Sequence, residues 1–495
     1  MRLLFPLPEL PMETASVAIP ATEETMLGAS ILPLDAEHPD QSGVYPLFDG
    51  RDALAARILL ADAAENSIDV QYYIWQMDTS SWLLLDALKR AADRGVRVRM
   101  LLDDNGVPGL DNVLSALNAE ENIEVRLFNP FTLRSPKLAS YLFDFPRLNR
   151  RMHNKSMTAD GAATIIGGRN IGDIYFSYGE GTAYFDLDTL AIGDAAGDVA
   201  ENFDDYWTSG SSYPAELVLA ETDGGLQEMA DAVAVARASA TGSDYLEAVK
   251  NSQAIQQLAN GELDFEWTDV TLYTDDPAKG LAKTTDQELM IYRLFSNLEP
   301  PESKLSLVSA YLIPGERGTE LISGFAQNGV EVRLLTNSLD ATDVSPVHSA
   351  WMGYREDLLE DGVEVLELRA SPDQQPDSSL AQMLHGSLSS LHAKTFAIDD
   401  QRIFIGSFNF DPRSARLNTE MGFLIESPDL AQRLAEVLHR DGLFYEVKLT
   451  GDGSLEWTET EESGEITTYD HEPNTTAFKR GVVKFMSWLP IEWML

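Results

Sequence analysis

The sequence predicts an α/β protein of two duplicated halves, each a mostly parallel sheet flanked by helices. Three observations carry that prediction. The pattern His-x-Lys-x-x-x-x-Asp occurs twice, as His153, Lys155 and Asp160 in HNKSMTAD and as His392, Lys394 and Asp399 in HAKTFAID. Each copy is followed in step by a related segment, GAATIIGGRN and DQRIFIGSFN, so Gly168 and Asn170 match Ser407 and Asn409. Upstream of both, apolar-periodic helical runs alternate with short strand-like runs in the same order, as βα units do. With seven histidines and eleven lysines in the chain, one chance match has a probability of roughly 0.01 and two roughly its square, so the repeat is a duplication.

The elements follow in order. Residues 1–42 are proline-rich and weakly periodic and read as an extended lead-in. The first half, 43–213, has a helix at 51–65 before the strand SIDVQYYIW; the second, 263–447, has QELMIYRLFSNL before KLSLVSAYLI, which aligns Tyr73 with Tyr311. A helix and buried strand come next, ALKRAADRGVRVRMLLDD against LISGFAQNGVEVRLLTNS, with Gly95 and Gly329 ending the helices. A further pair ends in IEVRLFNP and VEVLELRA. Each motif then lies on a hairpin, and strand alternation puts His153 with Lys155, and His392 with Lys394, on one face. The loops at 129–152, aromatic and basic, and 370–390, rich in Ser, Pro, Asp and Gln, are expected at the mouth of the site. Residues 214–262 read as a helical connector packed on the core, and 448–495 as a tail.

Composition sets the surroundings. Eighty acidic against thirty-six basic residues give a net charge of −44, and only eleven of the basic residues are lysines. Such a charge repels itself in the folded state, and molar salt screens it, so the chain reads as halophilic. The absence of cysteine excludes disulfides and thiolate metal sites. The start MRLLFPLPELPM has one basic residue and prolines at 6, 8 and 11, which argues against a signal peptide. No apolar run reaches the roughly eighteen residues of a membrane span, and the chain is expected to be peripheral on the cytoplasmic side of the cell membrane. The end, FKRGVVKFMSWLPIEWML, combines Lys479, Arg480 and Lys484 with Phe485, Trp488 and Trp493. That mixture suits a bilayer interface, or aromatics docking on the protein's own surface.

Two His/Lys pairs suit attack on a phosphodiester, an anion whose oxygens repel a nucleophile. Lys155 and Lys394, with Asn170 and Asn409, can neutralise and hydrogen-bond those oxygens. One imidazole can attack phosphorus while the other protonates the leaving alkoxide, giving a phosphohistidine that an alcohol or water resolves, with no metal or other cofactor required. Each histidine needs a partner on its second nitrogen. Asp186 or Asp188 in YFDLDTLAIG, and Glu420 in LNTEMGFLI, lie 28 to 35 residues downstream of a motif histidine and are the candidates. Arg147, Arg150, Arg151 and Arg169 make the window 146–170 net positive, a patch suited to an anionic head group or to the protein's own carboxylates.

The paired motifs followed by GGRN and GSFN resemble the phospholipase D superfamily, and DVQYYIWQ, RGVRVRMLLDDN, FPRLNRRMHNKS, LLTNSLDATDV, IGSFNFDPRSARLNTEMGF and LPIEW are similar to its bacterial cardiolipin synthase C-type branch. The similarity covers most of 43–495. It implies a pseudo-twofold pair of domains whose motifs form one composite site. It assigns catalysis to His153, Lys155, Asp160, His392, Lys394 and Asp399, and supporting roles to Asn170 and Asn409, beside which Ser407, Gly168 and Arg151 are further candidates. The two aspartates can be structural, since the lysines and histidines suffice for the chemistry. The implied reaction is phosphatidyl transfer to phosphatidylglycerol at a membrane surface, with phosphatidylethanolamine as a second lipid to test. A hydrolytic phospholipase would differ only in letting water resolve the intermediate. A nuclease of the superfamily is disfavoured because −44 repels a polyanion, so no nucleic-acid partner is expected.

The charge makes a direct prediction. Stability and activity should both rise between about 0.05 M and about 2 M salt; equal thermal midpoints at the two concentrations would contradict the high-salt reading.

Overall fold

A computed structural model describes residues 6–10, 15–176, 183–251, 253–370, 389–440, 442–461, 463–489 and 492. Most of the loop 370–390 and Trp493 of the tail lie outside them. The chain divides into two compact units that are not consecutive halves. The first takes Met1–Gly179, Leu187–Leu294 and Leu417–Phe423; the second takes Glu180–Asp186, Phe295–Arg416 and Leu424–Leu495.

The first unit holds a nine-stranded sheet in the order Glu266–Thr268, Ser42–Leu47, Asp188–Gly193, Ala163–Gly167, Ser156–Ala159, Ser67–Tyr72, Arg97–Asp103, Ile123–Phe128, Ser212–Pro214. Ser67–Tyr72, Arg97–Asp103 and Ile123–Phe128 run parallel to one another, and the remaining pairings are antiparallel. The expected mostly parallel sheet is therefore corrected to a mixed one. The reason is local: crossover helices such as Thr79–Asp93 make the parallel trio, whereas the motif hairpin turns directly from Ala159 to Ala163 and can only be antiparallel. Side chains alternate between two layers. Met100 and Leu102 join a cluster with the helices Gly50–Ala63, Thr79–Asp93, Asp111–Asn118 and Gly225–Ala238. Leu101 faces the other way, to Phe203, Tyr206 and Trp207 of Asp194–Trp207.

The second unit repeats the plan. Its strands run in the order Arg402–Gly406, Lys394–Ile398, Lys304–Ser309, Glu331–Asn337, Glu364–Leu368, Phe444–Leu449, Leu455–Thr460, Ile466–Tyr469. Lys304–Ser309, Glu331–Asn337 and Glu364–Leu368 form the parallel trio. Gly95 and Gly329 adopt the left-handed φ of 97° and 91° expected where a helix ends and the chain turns into a strand.

Three segments differ from expectation. The lead-in contains a helix, Met26–Glu37, because Thr25 caps it by accepting from Gly28 N at 3.0 Å and Ile31 buries against the first core. The loop at 129–152 contains a helix, Tyr141–Leu148, kinked at Asp144. The tail adds two strands to the second sheet before the helix Ala477–Met486. The region 214–262 is helical, and Met229, Val233, Ala236 and Tyr245 join the first core.

Buried charge is handled by pairing. Arg355 donates to Glu367 at 2.7 Å and to Glu472 at 3.0 Å, while Trp351 and Trp457 donate to Glu367. Burial would raise the Glu472 carboxyl, but Arg355 and His348 outweigh it and hold it down to about 2. His348, Glu367 and Glu472 have the makings of a metal triad, yet the guanidinium among them already supplies the positive charge.

Candidate active site

In the first unit the chain enters the motif hairpin through Met152, which bridges Thr419. His153 N donates to Thr419 O at 2.9 Å, and Thr419 N donates to Arg151 O at 2.9 Å. This two-point tie delivers the next residue, Glu420, whose Oε2 lies 2.8 Å from His153 Nδ1 with both side chains buried. Glu420 is itself held. Its N–H donates to Asp275 Oδ2 at 3.0 Å, Asp275 N donates back to Glu420 O at 2.9 Å, and buried Lys279 donates to the same Asp275 oxygen at 2.8 Å. Tyr73 meets the His153 ring edge-on at 5.0 Å, and the Lys155 ammonium stands 5.7 Å from the Tyr73 ring centre while donating to His153 O.

The second unit builds the same arrangement from other chain segments. His392 N and Ala393 N both donate to Phe185 O at 2.8 Å, where Ser389–Leu391 pairs in parallel with Ala183–Phe185. The residue after Phe185, Asp186, places Oδ2 2.5 Å from His392 Nδ1. Lys394 donates to His392 O and holds its ammonium 3.0 Å from the same ring nitrogen.

The motif aspartates are braces. Asp160 accepts from Glu65 N, Asn66 N and Ser67 N, and Asp160 N returns a bond to Ser67 O, locking the hairpin to the start of Ser67–Tyr72. Asp399 does the same with Glu302 N, Ser303 N and Lys304 N, and its own N–H donates to Lys304 O. Burial would raise the Asp399 carboxyl, but these backbone donors prevail and hold it below its usual range. The asparagines differ in kind. Among the described residues, Asn170 Oδ1 accepts from Ile74 N at 3.1 Å while its buried Nδ2 has no partner, and buried Asn409 has none for its Oδ1. The Asn170 N–H donor is suited to a ligand oxygen, whereas the Asn409 carbonyl oxygen can accept only from a donor.

Other candidates are corrected. Two of the three candidate acids do partner the histidines, each histidine taking the acid that follows the other motif: Glu420 serves His153 and Asp186 serves His392. Asp188 serves neither, pairing instead with Arg57 at 2.8 Å and accepting from Arg169 N. The arginine patch makes bonds within the fold, where half-buried Arg150 donates to Lys279 O at 3.2 Å. Arg151 is buried against Asp103 and the carbonyls of Phe128, Leu148 and Asn129; Arg147 binds Asp144 and Pro130 O; Arg169 binds the carbonyls of Leu47, Phe48 and Tyr175. Gly168 contributes its backbone, donating to Leu187 O, and Ser407 is fully buried behind Asn409 in the chain. Residues passed over as candidates are Tyr73, Thr419, Asp275 and Lys279. Only Tyr73 left a signal, its match to Tyr311 in the repeat.

Comparison with known proteins places this geometry. A family described as cardiolipin synthase, phospholipase D-like domain, matches residues 58–207 and 294–441. The chain is 44% identical over 471 residues, 95% of its length and 99% of the relative's, to cardiolipin synthase C of Escherichia coli strain K12. It is 24% identical over 409 residues to cardiolipin synthase of Oceanobacillus iheyensis, covering 82% of this chain and 70% of that one. Among solved structures, phosphatidylserine synthase of Haemophilus influenzae Rd KW20 superposes with a TM-score of 0.57 at 15% identity, over 92% of this chain and 95% of that one, a likeness of fold.

The bracing role predicts stability effects. Asp160→Asn should lower unfolding free energy by about 1–3 kcal/mol in a urea titration, because an amide oxygen replaces a charged, buried acceptor of three backbone donors. Asp399 is depressed when folded, so its contribution is complete above its ordinary pKa of about 3.9 and is lost as pH falls through the folded value. Asp399→Asn should therefore flatten the acid limb of stability below about pH 4; an unchanged limb would remove Asp399 from this role.

Proposed function

Given that the chain belongs to the phospholipase D-like cardiolipin synthase family, we propose that it transfers a phosphatidyl group to the glycerol head group of phosphatidylglycerol, giving cardiolipin. The observation that carries the mechanism is the pair of histidines, each with Nδ1 bound to a buried carboxylate. That bond fixes the ring and stabilises its cation, so the chemistry falls to Nε2. His153 Nε2 attacks phosphorus of the donor lipid, and the bond to the departing head-group oxygen breaks as that oxygen takes a proton from His392. A phosphatidyl-histidine results. His392, now neutral, accepts the proton of the acceptor hydroxyl, whose oxygen attacks phosphorus and releases His153. Lys155 and Lys394 offset the charge on the phosphoryl oxygens, and the Asn170 amide N–H donates to one of them. His153 is assigned the attack from the resemblance; the arginines before it, committed to carbonyls and carboxylates, give no independent support.

The lipid substrate implies work at a membrane surface, and we place the protein there peripherally. Among the described residues no helix is long and apolar enough to cross a membrane. The helix Ala477–Met486 and the residues after it hold out Phe478, Phe485 and Trp488, exposed by 60%, 58% and 73%, on a segment without an acid between Glu472 and Glu492. That supports the interface reading of the tail.

Labelled phosphatidylglycerol, with and without phosphatidylethanolamine, should yield labelled cardiolipin, and yield it in EDTA. His153→Asn should abolish the covalent adduct with any donor, whereas His392→Asn should still form one from a donor with a leaving group that needs no proton. Phosphatidic acid as the sole product would make the enzyme a hydrolase, and an adduct mapped to His392 would reverse the two histidines.

A further inference from the structure

The segment that leads into the first motif carries two leucines that no part of the fold uses. Leu138, in the short 3-10 turn Lys137–Ser140, is 74% exposed, and Leu142, in the helix Tyr141–Leu148, is 85% exposed. They lie four residues apart on successive helical turns. The segment beneath them is braced. Arg134 and Lys137 both bind Asp104 and Asp111, Phe131 N donates to Asp104, and Leu133 N donates to Ser140 Oγ. Phe131 takes Tyr141 edge-on at 5.6 Å and lies under the Arg151 guanidinium, also at 5.6 Å, two residues before His153. A rigid support thus runs from the exposed leucines to the motif.

We propose that Leu138 and Leu142 form a wedge that enters the surface of an anionic phospholipid bilayer and presents lipid to the His153 half-site. The proposal rests on the lipid-substrate reading above. Charge favours a bilayer at this place. A chain of −44 is repelled by anionic head groups, but residues 125–143 contain no acid, and Arg134 and Lys137 balance Asp104 and Asp111. The tip is therefore a part of the molecule that can approach such a surface without net repulsion. Size also favours it: two leucines flanked by the exposed prolines 136 and 146 are far short of the apolar patch a stable protein interface needs, yet enough to sit among acyl chains.

The chain has no cysteine, so Leu142→Cys can be labelled at one position with a polarity-sensitive fluorophore, with Val235→Cys, also a highly exposed apolar position of the first unit, as control. Vesicles of phosphatidylglycerol should blue-shift the dye at 142 and leave that at 235 unchanged. In the unlabelled protein, Leu138→Ser/Leu142→Ser should reduce vesicle binding by about tenfold or more and leave turnover of monomeric short-chain phosphatidylglycerol unchanged. Absence of a shift at 142, equal vesicle binding by variant and parent, or a change in oligomeric state in place of vesicle binding would each overturn the wedge. Failure of the parent protein to convert the monomeric lipid, with the shift at 142 intact, would instead count against the proposed reaction.

Discussion

The bond between a motif histidine and a buried carboxylate is the constraint on which the rest of the structure depends. The partners are 267 residues apart in the first unit and 206 in the second, so neither forms until distant stretches of chain are in place. A buried imidazole–carboxylate pair is costly unless every member is held by further hydrogen bonds. In both units the backbone around the pair is held by further hydrogen bonds. Thr419 is tied front and back to the strand that carries His153, and Asp275 and Lys279 clamp Glu420 from behind. Phe185 O takes two donors at once in the other unit and so fixes Asp186.

The motif residues then divide by role according to where their polar atoms can go. The aspartates are consumed by backbone donors and set the hairpin on its neighbouring strand. Lysine and histidine share a face, each ammonium anchored on the carbonyl of the histidine before it. The arginines that surround the first motif neutralise Asp103, Asp104 and Asp144 within the fold. In a chain so acidic, buried cations serve first to stabilise buried carboxylates.

What was legible in the sequence was local. The helix-then-strand order, the glycines at 95 and 329 and the two hairpins all follow from periodicity and turn chemistry over ten to twenty residues, and all are present. The exchange of Glu420 and Asp186 was not legible, because proximity in sequence favours the downstream acid and only the folded units show which segment each recruits. Strand alternation alone would put Asp186 and Asp188, two residues apart, on one face, but the strand is interrupted between Phe185 and Asp188, and Asp188 meets Arg57 while Asp186 reaches His392. Which of its two readings the arginine patch would take was open for a related reason: a partner such as Asp103 for Arg151 lies on a strand far from it in the sequence.

The account stands on the exchanged acids, and proton NMR of histidine-labelled protein tests them most directly. Two downfield ring N–H signals are expected, assigned by loss in His153→Asn and His392→Asn. Glu420→Gln should displace the His153 signal and spare that of His392, and Asp186→Asn should do the reverse. A Glu420→Gln variant that moved the His392 signal and left that of His153 in place would contradict the arrangement.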